Sequence, residues 1–354
     1  MMPGPVYFDV VRSPPAHHSA RNGKAARRFI DAGVPERRTG GSLEFDRTGG
    51  IEGTVRQVMP GRAVVDLEGG PVEAHLRGGL TQGRRHSVHL LAVGDRVRLR
   101  RSEGLLVLVE EVLPRRNELA RVDVGDKRCL RKQVLAANLD RICVVVSLDR
   151  PRYNPRGVDR FLVLAASAEV PALLVLNKCD LHAAAEGGSH SSEGILGLYR
   201  SLGYEAIGTS AVTGAGLGDL RAALAGRLSF LLGPSGVGKS SLLNVIYGLD
   251  LRTTAISRAT SKGVHTTARV DWVDLPGGGA VLDAPGIRSI PPWGLDRGSL
   301  AFCFPEFRRA GPCRFGDCLH CGEAGCAVEA AAGGDQIPAQ RLDSYRRILA
   351  TLSR

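Results

Sequence analysis

GPSGVGKSS, residues Gly233 to Ser241, lies directly behind the apolar run LSFLL and directly ahead of the helix-like SSLLNVIYG. That placement demands a buried strand, a glycine-rich turn and a helix entered at its N-terminus. Glycines at 233, 236 and 238 let backbone N–H groups curl around phosphates, and Pro234, Ser235, Val237 and Ser241 complete the loop. Lys239 is expected to reach the β- and γ-phosphates, and the Ser240 hydroxyl to ligate Mg²⁺. Such a loop belongs to an α/β sheet that gathers its ligand loops at the carboxyl ends of the strands. The neighbouring runs agree. ICVVV, ALLVL, YEAIG and AVLD are short and nearly all apolar, as parallel strands buried on both faces read, and helix-like segments separate them.

The companion motifs stand in an unusual order. Asn177-Lys178-Cys179-Asp180 comes first, then Thr209-Ser210-Ala211, then the phosphate loop, then His265-Thr266-Thr267 and finally Asp283-Ala284-Pro285-Gly286. An NKxD by itself is an ordinary surface turn in many proteins. Here it follows the strand ALLVL, where the Asp180 carboxylate can accept two N–H bonds from guanine that adenine does not offer. Asn177 and Lys178 would brace base and loop, and a backbone N–H of Ser210-Ala211 would meet the guanine oxygen. GTP is therefore expected over ATP. Asp283 closes the strand AVLD and can hold Mg²⁺ through water, while the Gly286 N–H can bond the γ-phosphate and lose that bond after hydrolysis. Thr267 is expected to complete the Mg²⁺ shell, unless the Thr pair merely opens the strand RVDWVDL. Ile287 has no hydrogen-bonding group where many GTPases place a water-orienting Gln. His265 is the nearest polar candidate for that catalytic role, with Lys239 and Thr267 as the other catalytic candidates, and slow intrinsic turnover is expected. Ordinary GTPases carry the phosphate loop first, so these parts read as a circularly permuted GTPase.

Other stretches fall into separate domains. Residues 1–46 are rich in Pro, Gly, Arg and Ala without periodicity, as a disordered basic tail is. Residues 47–116 hold five short alternating runs between Gly-bearing turns, which predicts an all-β, OB-like barrel. Arg77, Arg84, Arg85, Arg96, Arg98, Arg100, Arg101, Arg115 and Arg116 cluster in and just after it, an RNA-contacting surface or a plain solvated one. Residues 117–134 read as a linker, 135–295 as the GTPase domain and 296–354 as a small zinc-binding domain with helices. Cys313, Cys318, His320 and Cys326 offer three thiolates and an imidazole in a short loop, suited to one closed, structural Zn²⁺ site. Cys321 is a further thiol that could replace a neighbour. The net charge of +11 points to an anionic partner, nucleic acid before membrane. No apolar stretch reaches about 18 residues, the N-terminus lacks a secretory pattern, and a cytoplasmic protein is expected.

Taken together, these motifs resemble the ribosome small-subunit-dependent GTPase A (RsgA) family over roughly residues 48–350. The likeness rests on HLRGG and VGDRV in the barrel, LPRRNELAR at its exit, AANLD, LNKCDL, TSAVTGAGL, GPSGVGKSSLLN, HTT, FPEF, CRFGDCLHCGEAGC and RLDSY. The resemblance implies a monomer that hydrolyses GTP to GDP on the small ribosomal subunit during late maturation, touches its rRNA through barrel and zinc domain, and leaves after hydrolysis. It places the zinc ligands at Cys313, Cys318, His320 and Cys326, makes Cys321 a bystander, and places the catalytic histidine at His265. Ala268 stands where the family has a third Thr, and the tail lies outside the likeness. Two other readings compete: a GTPase of large-subunit assembly, and a GTP-binding RNA protein with little turnover.

Overall fold

In the computed structural model, residues 50–76, 90–101, 107–122, 131–182, 191–251, 270–284, 292–334 and 336–352 are described, and the basic tail lies outside them. Strands β1 (Ile51–Met59), β2 (Arg62–Leu67), β3 (Gly70–Leu76), β4 (Arg96–Arg101) and β5 (Val107–Val112) form a closed barrel in the order β1-β2-β3-β5-β4. Strand alternation sets its inside: Ala63, Val65 and Leu67 of β2 are buried while Arg62 is exposed. All pairings are antiparallel except β3 with β5, which closes the barrel.

The stretch expected as a linker carries two paired strands, β6 (Glu118–Val122) and β7 (Lys132–Ala137). Neither run is long or strongly alternating. What holds them is tertiary: Leu119, Leu135 and Ala136 join the core of the next domain, and Glu118 pairs with both Arg115 and Lys132.

An α/β sheet follows, formed by β8 (Arg141–Ser147), β9 (Ala172–Asn177), β10 (Glu205–Gly208), β11 (Leu228–Leu232), β12 (Asp271–Asp274) and β13 (Ala280–Asp283). Its order is β10-β9-β8-β11-β13-β12, parallel throughout except for β12 at one edge. Helices α1 (Pro155–Ser167), α2 (Ser192–Ser201), α3 (Leu217–Leu224) and α4 (Lys239–Tyr247) connect the strands. Two apolar clusters, one on each face, explain why the strand sequences lack alternation. From β8 the chain steps outward to β9 and β10, then returns to β11 on the other side of β8. The strand order therefore reverses between β8 and β11, and a crevice opens there at the carboxyl ends.

After β13 come two short 3-10 turns (Leu300–Cys303 and Pro305–Ala310), then α5 (Ala327–Ala330) and α6 (Ala339–Leu349). Their core stacks Phe304 on Phe307 at 5.0 Å and sets Tyr345 edge-on to Phe304 at 5.4 Å. Val163 of α1 belongs to the same cluster, so this segment packs directly on the α/β sheet domain. A buried polar knot adds to that contact. Arg341 Nε donates to Glu306 Oε1 at 2.5 Å and Nη1 to Asp159 Oδ1 at 2.5 Å, and none of the three side chains is exposed.

Candidate nucleotide site and the cysteine–histidine cluster

The crevice between β8 and β11 collects the motif residues that the sequence scatters over more than 100 positions. Asn177 ends β9 and is buried. Its Nδ2 donates to Val237 O at 2.8 Å, and its Oδ1 accepts from Thr209 Oγ1 at 3.2 Å, so it ties the NKCD turn to both the phosphate loop and the TSA turn. Gly238 must be glycine, because φ is +98° and a Cβ would lie 2.4 Å from Asn177 Nδ2. Lys178, itself at φ +61°, crosses the loop and donates to Gly236 O at 2.8 Å and to Arg150 O. A non-glycine residue in the left-handed region is strained, and such strain is held where surrounding bonds over-determine it.

Asp180 accepts from Ser210 Oγ at 2.5 Å, and that same oxygen accepts from Val212 N and Thr213 N at 3.2 and 3.1 Å. The Ser210 N–H is used on Ala215 O at 3.0 Å. Of the Ser210-Ala211 pair expected to offer one N–H to the guanine oxygen, the Ala211 N–H thus has no partner among the described residues.

Lys239 opens α4, and its Nζ donates to Gly233 O at 2.9 Å and Pro234 O at 3.3 Å. Burial lowers its pKa, against the pull of the Asp283 carboxylate. Asp283, buried at the end of β13, is pushed above the usual carboxylate range by burial; Lys239 opposes that rise and Asp271 adds to it. A cation placed beside this carboxylate and the Ser240 hydroxyl would hold Asp283 ionised, so the donor set fits Mg²⁺. His265, Thr266, Thr267, Gly286 and Ile287 lie outside the described residues.

Sequence reasoning missed one wall of the crevice. Ser147, the last residue of β8, donates to Pro151 O at 2.6 Å, and Pro151 Cδ lies 3.8 Å from a Cβ built on Gly236. The 148–154 loop therefore supports the phosphate loop from the side. Its role follows from β8 adjoining β11, and strand order is not written in any local pattern.

In the C-terminal segment the ligand atoms of Cys313, Cys318, His320 and Cys326 all lie within 4.8 Å of one another. His320 Nδ1 is 3.6 Å from Cys313 Sγ, 3.6 Å from Cys318 Sγ and 3.3 Å from Cys326 Sγ, and Cys313 Sγ is 3.9 Å from Cys326 Sγ. Tetrahedral Zn²⁺ with bonds near 2.3 Å to sulfur and 2.0–2.1 Å to nitrogen spaces its ligands by about 3.5–3.8 Å. The cluster fits that geometry. Backbone N–H groups of Ala327 and Glu329 point at Cys313 Sγ (3.3 Å) and Cys326 Sγ (3.4 Å), the outer support that thiolate ligands take. Cys321 is exposed and stands outside the cluster.

Arg96, Arg100 and Arg116 are exposed and Arg98 partly so, as either expectation has them. Each is paired with an acid: Arg96 with Glu52, Arg98 with Glu52 and Glu111, Arg100 with Glu110 and Arg116 with Asp140. Arg115 is 12% exposed and grips Asp95, so it is a structural clamp and not part of an outward basic face. Arg77, Arg84 and Arg85 lie outside the described residues.

Comparison with known proteins decides the family. The family described as RsgA GTPase matches residues 112–293. A relative from Chlorobaculum parvum, named small ribosomal subunit biogenesis GTPase RsgA, is 41% identical over 314 residues, spanning 85% of this chain and 98% of its own. The chain belongs to the RsgA GTPase family. A relative of the same name from Pseudomonas aeruginosa is 39% identical over 94% of this chain and 93% of its own. Among solved structures, YjeQ from Thermotoga maritima superposes with a TM-score of 0.68 at 31% identity, covering 85% of this chain and 98% of that one. YloQ, described as a circularly permuted GTPase, gives 0.62 at 25% identity over 86% and 95%. The RsgA fold thus accounts for the barrel, the permuted order of motifs and the Cys/His cluster together. Among the described residues, no helix is long and apolar enough to cross a membrane.

Proposed function

We propose that this chain binds GTP in the β8/β11 crevice, hydrolyses it to GDP and phosphate, and does so on the small ribosomal subunit during its late maturation. The observation that carries the reading is the convergence of Asn177, Lys178, Asp180, Ser210, Lys239 and Asp283 on one crevice in a chain of the RsgA family. Asp180 is held by Ser210 with its carboxylate available to the two guanine N–H groups, and Lys178 covers the base. Lys239 turns from the carbonyls of Gly233 and Pro234 to the β- and γ-phosphates, a trade of neutral acceptors for charged ones that strengthens each bond. Mg²⁺ would be held by Ser240 and Thr267, with Asp283 acting through water, and would supply neutralisation of the phosphate charge. Gly286 reads the γ-phosphate, and His265 orients the attacking water.

Zn²⁺ at Cys313, Cys318, His320 and Cys326 is structural, with no position left for a substrate. Barrel and zinc segment are the proposed rRNA-contacting modules, and the protein acts in the cytoplasm as a monomer. Domain limits follow the sequence reading: tail 1–46, barrel 47–116, connection 117–134, GTPase domain 135–295, zinc domain 296–354, with strand β6 in the connection and β7 running from it into the GTPase domain.

Turnover of GTP, ATP and XTP, with and without purified small and large subunits, tests the reading. GTP hydrolysis raised at least tenfold by small subunits alone is the expected result. Stimulation by large subunits only, or binding without turnover under any condition, would overturn it.

A further inference from the structure

Among the described residues, barrel and sheet meet on either side of a cleft. One junction is largely backbone. Ala137 N–H donates to Val93 O at 2.9 Å, and Asn138 Nδ2 donates to Gly94 O at 2.9 Å. Gly94 has φ +89°, and a Cβ there would stand 2.1 Å from Ala137 O, so no other residue fits this close approach. Arg115 stiffens the same junction, donating to buried Asp95 at 2.7 and 2.8 Å and to Glu118 at 2.8 Å.

The second junction is made by side chains. Arg56 of β1 pairs with Asp66 of β2 at 3.3 Å and reaches across to Asp274 of β12. Its guanidinium lies 5.4 Å from the Trp272 ring centroid, and Trp272 Nε1 donates to Asp274 Oδ1 at 2.8 Å. Alongside lies a cavity of ≈ 730 Å³ lined by Thr54, Arg96, Asn138, Leu228, Trp272 and Gly279, among others. Asp274 is 64% exposed, so this ion pair is weak and screened by salt. The backbone junction is thus the tighter of the two contacts and the Arg56 pair the weaker, a latch on the far side of the cavity.

Strand β12 gives the latch a consequence. It is antiparallel to β13, with Asp271 opposite Asp283 and Asp274 opposite Ala280. One end therefore meets the crevice and the other meets Arg56. We propose that Arg56 is a positioning residue for GTP hydrolysis: through Trp272 and Asp274 it links the angle of the barrel to the register of β12 beside Asp283. The proposal rests on the reading of Asp283 as the carboxylate on the Mg²⁺ side of the nucleotide. A partner that grips the barrel then acts on the γ-phosphate end of the site without involving the zinc segment.

Full-length, zinc-loaded Trp293→Phe protein tests this, because Trp272 is then the remaining tryptophan of the two in the chain. Trp272 emission and acrylamide quenching are recorded with a nonhydrolysable GTP analogue and with GDP. Emission should differ between the two nucleotides. In Arg56→Ala that difference should vanish and quenching should rise about twofold, with partial recovery in Arg56→Lys. Asp274→Asn, which leaves the barrel untouched, should reproduce the Arg56→Ala result. Nucleotide affinity should stay within twofold, while small-subunit-stimulated kcat falls threefold or more. Identical Trp272 emission with both nucleotides in the parent, or an undiminished difference in both Arg56→Ala and Asp274→Asn, overturns the latch. Small subunits that stimulate none of the proteins would overturn the proposed partner instead, and the emission data would still decide the latch.

Discussion

Replacing Arg341 by Met removes one charge and three heavy atoms, yet it should be among the most costly substitutions in the chain. Arg341, Asp159 and Glu306 are each fully buried. Without the guanidinium, two carboxylates remain in the interior, and the Tyr199 hydroxyl, 2.9 Å from Asp159 Oδ1, is the main donor left to Asp159. Breaking a buried pair by deleting one partner costs about 3–5 kcal/mol. Two acids lose the same partner here, and the guanidinium also leaves the Phe304 ring 4.5 Å away, so the upper half of that range is expected. The pH dependence separates this cause from simple loss of packing. Burial already pushes the Asp159 carboxyl above its ordinary range, against the opposing pull of Arg341. Removing Arg341 raises it further, so the folded variant holds a proton that the unfolded chain releases at about pH 4. Stability of the variant therefore falls as pH rises from about 4 through the raised folded value, and the deficit is greatest near neutrality. Urea denaturation of variant and wild type in parallel, at about pH 7.5 and 5.5, with hydrogen exchange read on α1 and α6, measures it. A triple Arg341→Met/Asp159→Leu/Glu306→Met variant should recover most of the loss, since apolar replacement of a whole buried ionic set is often neutral or better. A deficit below about 1 kcal/mol near neutrality, or one that does not shrink on acidification, would refute the reasoning.

Lys239→Ala should lower kcat by at least about a hundredfold, as loss of a donor to developing charge does, with far-UV circular dichroism unchanged. Wild-type turnover in the folded variant would remove the phosphate-loop lysine from the mechanism. Asp180→Asn exchanges a paired acceptor for a mixed donor and acceptor, so affinity should move from GTP towards XTP; competition titrations that leave GTP preferred by the same margin would count against Asp180 as base reader. Cys318→Ser, or a strong chelator, should release one zinc per chain and expose 296–354 to protease while GTP affinity stays within a few-fold. Elemental analysis finding no zinc in protein purified without chelator would remove that site.

How much was legible in the sequence depended on whether a residue's role is local. The phosphate loop, the NKCD turn and the barrel strands are each fixed by periodicity and by the φ demands of a few glycines, and they stand where the pattern puts them. The Cys/His cluster was legible because metal geometry selects four ligands of fixed type at short spacing, and Cys321 is excluded only by where the loop turns. Strands β6 and β7 were not legible, since their stability comes from Arg115, Asp95 and core contacts distant in sequence. The same holds for Arg341, which reads as one more basic residue on a terminal helix until Asp159, 182 positions away, is seen beneath it. The Arg115 reading failed for the mirror reason: a run of arginines says nothing about which of them find buried acids.

The permuted order has a mechanical consequence that the strand arrangement makes explicit. Nucleotide loops cluster at the carboxyl ends of the parallel strands, but the barrel joins through Asn138 and Asp140, ahead of β8 and thus at the amino ends. Edge strand β12 spans the distance between them: at about 3.3 Å per residue, Asp271 and Asp274 are some 10 Å apart along the strand, one opposite Asp283 and one against Arg56. The zinc segment needs no such strand. It leaves from the crevice end of β13 and packs through Val163 and Arg341 onto α1, whose N-terminus follows the 148–154 loop that supports Gly236. The two appended modules are therefore joined to the sheet domain at separate elements, the barrel at an edge strand through a weak latch and the zinc segment at α1 through a buried ionic knot. A weak contact can open and close with a bound partner, whereas a fully buried one is expected to move only as a unit with α1.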